Sequence, residues 1–307
     1  DGDALGGRFE RPGAKSGLML WFKKQPEAAA LPATADQVRP AELPFALDRE
    51  LFKLYFTRML ATVELDGGIE AYLASLGAKH HAYAALLERP RIERLTLDDL
   101  ESLLDRVFTA RRRVFPALES MGAAFAAALA GELLYSTAPL VQRFQGFVDA
   151  MPGAEGMGRD SINAAAKVRR AAWDFASEMV HFSDPVRYPL MSRWVWDQST
   201  QSGALREFIR GADAMGEIPL GNTPELFEGG RKWLAEQIAE QGIYRDIPFW
   251  IDLVLAEAYT TYFRSVTEGS LGADFGRGGP AYEQLRKLLG IDVSRAEGRT
   301  RVKKAAA

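Results

Sequence analysis

From Leu47 onward, apolar residues return every three or four positions along most of the chain, the spacing of one buried face of an α-helix. This pattern predicts helices over 48–64 and 69–88, the first closed by Asp66-Gly67-Gly68 and the second broken at Pro90. Thr96-Leu97-Asp98-Asp99 has the form of a capping box and predicts a helix to about 113. Pro116 sits where the first turn of an alanine-rich helix to 135 would begin, and a shorter helix is expected over 139–150. The stretch 151–160, MPGAEGMGRD, carries three glycines and a proline and reads as a mid-chain linker. Beyond it the periodicity predicts helices over 161–183, 189–198, 202–214, 224–241, 248–267 and 280–289, with Thr223 as N-cap, Pro224 at the first helical position and Gly242 as a stop. No run alternates with period two between hairpin turns, and no fixed-period repeat is visible, so neither a sheet nor a solenoid is expected.

The fold expected is therefore all-α, a multi-helix, bundle-like globular protein. Four segments follow from the composition along the chain: an extended Gly/Pro/Ala-rich arm over 1–45, an N-terminal helical half over 46–150, a C-terminal helical half over 160–292, and a basic tail over 293–307. The arm holds one apolar island, Gly17 to Phe22, suited to docking on a partner or covering the protein's own core.

Composition narrows the function classes. At 307 residues and 47% hydrophobic, the chain can bury a sizeable core. The absence of cysteine removes disulfides, thiolate zinc sites, cysteine-ligated iron–sulfur clusters and cysteine nucleophiles. A net charge of −3 does not point to nucleic acid as the main partner, and the cations Arg295, Arg299, Arg301, Lys303 and Lys304 read as a solvated tail. The apolar run 123–134 is shorter than the roughly 20 residues a membrane span needs. With no leader pattern in the first residues, the expectation is a soluble, cytoplasmic protein without a transmembrane segment.

The chemistry concentrates in 167–210, which holds three of the six tryptophans and six arginines. Aromatic and guanidinium groups dominate recognition surfaces. Pro185 and Pro189 stiffen the stretch that presents Arg187, Tyr188, Arg193, Trp194 and Trp196, with Arg206 following, and these six residues form the expected contact surface. The helix–Pro–aromatic-Pro pattern of this stretch resembles one portion of the helix-hairpin-helix DNA glycosylases. Their glycine hairpin and catalytic aspartate have no counterparts at matching positions, so no function is carried over.

Metal chemistry is the second possibility. Glu178 and His181 are one turn apart on one helical face, a spacing that can chelate a metal. The stripe runs back through Asp174, Arg170 and Lys167, however, and is expected to be a solvated charged face in which Arg170 pairs with Asp174. His80 falls on the apolar stripe Ile69, Leu73, Leu76, His80, Tyr83, Leu87 and is expected to face the core. The segment Tyr72–Ala84, YLASLGAKHHAYA, is similar to the F-helix region of bacterial globins, which would make His80 the proximal haem ligand. Glu132 continues the stripe Leu118, Met121, Phe125, Leu129, and Glu257 interrupts the apolar run Phe249–Phe263; both are expected to be buried and paired. The glycine-rich stretch Gly269–Pro280 lacks the preceding strand of a dinucleotide fingerprint.

Two functional expectations result. The first is a non-catalytic helical accessory, regulatory or scaffold protein, without a cofactor, that binds a protein partner, a second copy of itself or a small ligand through the Arg/Trp/Tyr-rich surface. The alternative is a helical iron- or haem-binding protein using His80, His181, Glu178, Glu132 and Glu257.

Overall fold

A computed structural model describes residues 38–154, 156, 158–268 and 279–292. Most of the N-terminal arm including Gly17–Phe22, most of Gly269–Pro280, and the basic tail lie outside the described residues. The described chain is all-α, with ten helices and no strand. In chain order these are α1 (Arg49–Glu64), α2 (Gly68–Leu87), α3 (Leu97–Leu104), α4 (Arg111–Met121), α5 (Ala123–Tyr135), α6 (Leu140–Asp149), α7 (Arg159–Ser183), α8 (Pro224–Glu240), α9 (Ile247–Glu268) and α10 (Ala281–Leu289). No single helix among them is long and apolar enough to cross a membrane.

Several helix starts are written in local chemistry. Asp48 caps α1 by accepting from the Glu50 and Leu51 amides. Thr96 and Asp99 close a reciprocal capping box on α3, each side chain bonding the other's backbone N–H. Thr223 is the N-cap residue of α8, with Pro224 in its first turn.

Other expectations are corrected. The helix from Thr96 stops at Leu104 rather than about 113, and Pro116 lies inside α4 rather than at its start. The alanine-rich segment is two helices because Gly122 adopts φ +83°, and the chain bends by 115° between α4 and α5. The stripe Leu118, Met121, Phe125, Leu129, Glu132 is therefore not one face. Leu118 is buried, while Phe125 is half exposed and Glu132 faces solvent. The helices expected over 189–198 and 202–214 do not form; those residues make turns and short 3₁₀ segments at Ala204–Phe208 and Ala212–Ala214.

α7 packs against α2, α4, α5 and α6, and α9 packs against α1, α2, α8 and α10. From Ala171 to Phe182 α7 is buried on almost every side, whereas its first three turns stand exposed. The irregular segment 184–197 runs beside this buried half.

Candidate functional site

An irregular segment inside a core has a problem that a helix does not: its backbone N–H and C=O groups need partners from elsewhere. In 184–197 one face of α7 supplies them, with residues at helical spacing. Trp173 Nε1 donates to the Met191 carbonyl at 2.8 Å, and the Met191 amide donates to Ser177 Oγ at 2.7 Å. The carboxylate of Asp174 accepts from the Arg193 amide at 2.9 Å and from that residue's guanidinium Nη2 at 2.9 Å. His181 Nδ1 lies 2.8 Å from the Tyr188 carbonyl. From α8, Arg231 Nη1 donates to the carbonyls of Pro185 and Val186 at 2.9 and 2.8 Å, while its Nε and Nη2 bind Glu228 at both oxygens.

The stripe of α7 is therefore not solvated. Asp174, Glu178 and His181 are each no more than 2% exposed, and only Lys167 and Arg170 at its outer end meet solvent. Asp174 pairs with Arg193, not with Arg170. Burial pushes its carboxyl up from the usual range, and the Arg193 guanidinium and amide work against that.

Beneath the loop lies a cluster of four ionisable groups on three helices. Lys79 of α2 is fully buried, and its Nζ donates to Glu178 Oε2 at 2.6 Å, to the Leu289 carbonyl at 2.8 Å and to the Arg106 carbonyl at 3.4 Å. Three acceptors around one nitrogen call for an ammonium. It also sits 4.1 Å from the ring centroid of Phe182 and against the C-terminal carbonyls of α10, both favourable places for a cation. Burial pushes Lys79 down and Glu178 up, and the attraction between the two opposes both shifts. One turn along, His181 Nε2 lies 3.0 Å from Asp252 Oδ2 of α9. Asp252 acts electrostatically on both Lys79 and Glu178, so the two pairs form a single network.

Gly290 brings α10 onto this network. Its φ is +66°, and a Cβ there would fall 1.7 Å from the Arg106 carbonyl oxygen, one of the Lys79 acceptors.

The residues expected on a contact surface divide. Tyr188, Trp194 and Trp196 are buried, at 6%, 3% and 0% exposure, and are corrected to core positions. Trp196 Nε1 donates to the Leu220 carbonyl, and Gly203, at φ +130°, lets 203–205 lie against Val195 and Trp196. Arg193 and Arg206 are half-buried; Arg206 staples turns by donating to the Gln201 and Ala212 carbonyls. Arg187 lies over the Tyr188 ring at 5.1 Å, next to Val186, which is 71% exposed.

The five residues of the metal alternative are not brought together. Glu178 is engaged by Lys79, and both ring nitrogens of His181 are engaged. His80 is half-buried and turns Nδ1 to the Phe182 carbonyl, Glu132 is exposed, and Glu257 lies elsewhere on α9 with Thr261 donating to its Oε1. Among the described residues no group of three His, Asp or Glu side chains is arranged to hold a metal.

Lys79 went unnoticed in the sequence. The signal was the true buried stripe of α2, Tyr72, Leu76, Lys79, Tyr83, Leu87, which repeats at four, three, four and four residues and leaves His80 beside it.

A cavity of about 10 Å³, the room of roughly one water, lies against His181, Asp252, Arg231, Pro189 and Pro248. The chain matches no known protein-family model, no curated protein and no solved structure with which it was compared.

Proposed function

We propose that this chain is a non-catalytic helical accessory protein that binds a protein partner through the outer edge of the 184–197 segment, at Val186 and Arg187. The observation that carries the reading is the anchoring of that segment. Its backbone is bonded from below by Trp173, Asp174, Ser177, His181 and Arg231, so exposed Val186 is presented on a stiff turn with half-buried Arg187 beside it, over the Tyr188 ring. A preorganised loop loses little entropy on binding, which is where affinity is otherwise spent. An exposed valine alone is ordinary; one held by two guanidinium hydrogen bonds at its own and the preceding carbonyl is a built feature. The engaged state of Glu178 and His181 also favours a structural use of these groups over a catalytic one.

The test is capture from the source-cell extract, read by mass spectrometry, with wild-type chain and with Val186→Asp/Arg187→Glu. The expected result is a partner retained by the wild type and lost by the variant, at unchanged helical circular dichroism and melting temperature. Equal capture by both would overturn the reading.

A further inference from the structure

We infer that His181 and Asp252 form a proton-operated latch on the 184–197 segment, closed while the pair holds one shared proton and open when it is lost. The argument rests on hydrogen-bond chemistry. A backbone carbonyl only accepts, so His181 Nδ1, 2.8 Å from the Tyr188 oxygen, must carry a hydrogen. Nε2, 3.0 Å from Asp252 Oδ2, faces a second oxygen. A proton must then lie on that line as well, either on the imidazole or on the carboxyl. With it present, the pair is neutral overall and both contacts are made.

Removing that proton leaves one hydrogen on the imidazole and two acceptors competing for it. The anionic Asp252 wins, because a hydrogen bond to a carboxylate is roughly twice as strong as one to a neutral acceptor. The hydrogen settles on Nε2, and the bare Nδ1 then faces the Tyr188 oxygen, lone pair to lone pair. The contact that breaks is one of those that hold the loop, at Tyr188. Helix α7 and Asp252 stay joined, so the opening is local.

The surroundings sharpen the switch. Lys79 and His80 face this region from α2, Glu178 from α7 itself, Arg231 and Glu228 from α8, and Arg106 from the link before α4. Lys79 and Glu178 balance each other, so with the shared proton the buried network has no net charge. Its loss leaves an uncompensated negative charge in the core, which favours a loop movement that admits water. The cavity against His181, Asp252 and Pro189 offers space for that water.

The latch belongs to the protein alone, and its test uses no partner, so failure of the binding reading leaves it standing. The experiment is nuclear magnetic resonance on the full chain, titrated upward in pH, with two signals followed. One is the protonation of each His181 ring nitrogen. The other is solvent exchange of the Trp173 indole hydrogen, which reports the bond to Met191. The expected wild-type result is loss of the Nδ1 proton with retention of the Nε2 proton. At the same midpoint, indole exchange should rise beyond the increase set by hydroxide catalysis, with helical circular dichroism unchanged. In Asp252→Asn the side-chain amide donates to Nε2, Nδ1 keeps its hydrogen on Tyr188, and the loop is expected to stay closed with no titration step. Retention of the Nδ1 proton in the wild type, an indole that does not respond, or an Asp252→Asn variant that titrates like the wild type would each overturn the latch.

Discussion

Replacing Lys79 by methionine tests the buried network at its most exposed point in energetic terms. The substitution keeps an unbranched side chain of similar length but removes the ammonium and its three hydrogen bonds. Glu178 is then left at 2% exposure without its counter-ion. Breaking one side of a buried pair costs about 3–5 kcal/mol. A unit-charge pair about 4 Å apart at an effective dielectric of about 20 gives a similar ~4 kcal/mol. Urea unfolding followed by circular dichroism is the assay. Lys79→Met should lose about 3–5 kcal/mol at neutral pH, whereas Lys79→Met/Glu178→Leu should recover most of it, since an apolar pair of similar volume replaces a desolvated ionic one. The pH dependence has a definite sign. Without Lys79, desolvation holds the Glu178 carboxyl above its unfolded value, so the folded state binds the extra proton. The penalty should therefore shrink in acid and grow as pH rises past the unfolded carboxylate range. A loss below about 1 kcal/mol, or a double variant no better than the single one, would refute the idea that this pair is a coupled, desolvated unit.

Three further outcomes follow from the same structure. Burial raises the Glu257 carboxyl, with Thr62 and Thr261 hydroxyls opposing, and its Oε2 has no hydrogen-bond partner; a raised carboxyl costs stability as pH climbs, so Glu257→Gln should gain on the wild type from acid to neutral pH in urea titrations. Trp196→Ala should cost about 3–5 kcal/mol, as for a fully buried aromatic, and a near-unchanged melting temperature would contradict its core placement. Gly290→Ala should destabilise by roughly 1–3 kcal/mol through its left-handed φ and its approach to the Arg106 carbonyl, and wild-type stability would argue against that close contact.

The helical class was legible in the sequence wherever local chemistry and periodicity agreed. The Thr96–Asp99 capping box and Thr223-Pro224 are such places, because the cap and the first turn are fixed by neighbours in sequence. The run Tyr188 to Trp196 misled for a physical reason. A largely buried irregular segment can be as rich in apolar residues as a buried helix, and what separates them is who satisfies the backbone. Here the answer lies on α7, at residues 173, 174, 177 and 181, which are 7 to 19 positions away in sequence along the hydrogen bonds that join them. Asp174, Glu178 and His181 looked like a solvated face because their partners, Arg193, Lys79, Asp252 and the Tyr188 carbonyl, come from other elements, which no local spacing reveals. The register of α2 was misjudged by one residue for the same cause. His80 seemed the unusual group, while Lys79, placed among Tyr72, Leu76, Tyr83 and Leu87, was the one turned inward.

The central claim is that side chains of α7 hold the 184–197 backbone as firmly as a regular element would. Amide hydrogen exchange at Met191 and Arg193, the donors to Ser177 and Asp174, measures this directly. The account predicts protection comparable to that of the buried half of α7. Exchange at the rate of an exposed loop would contradict it.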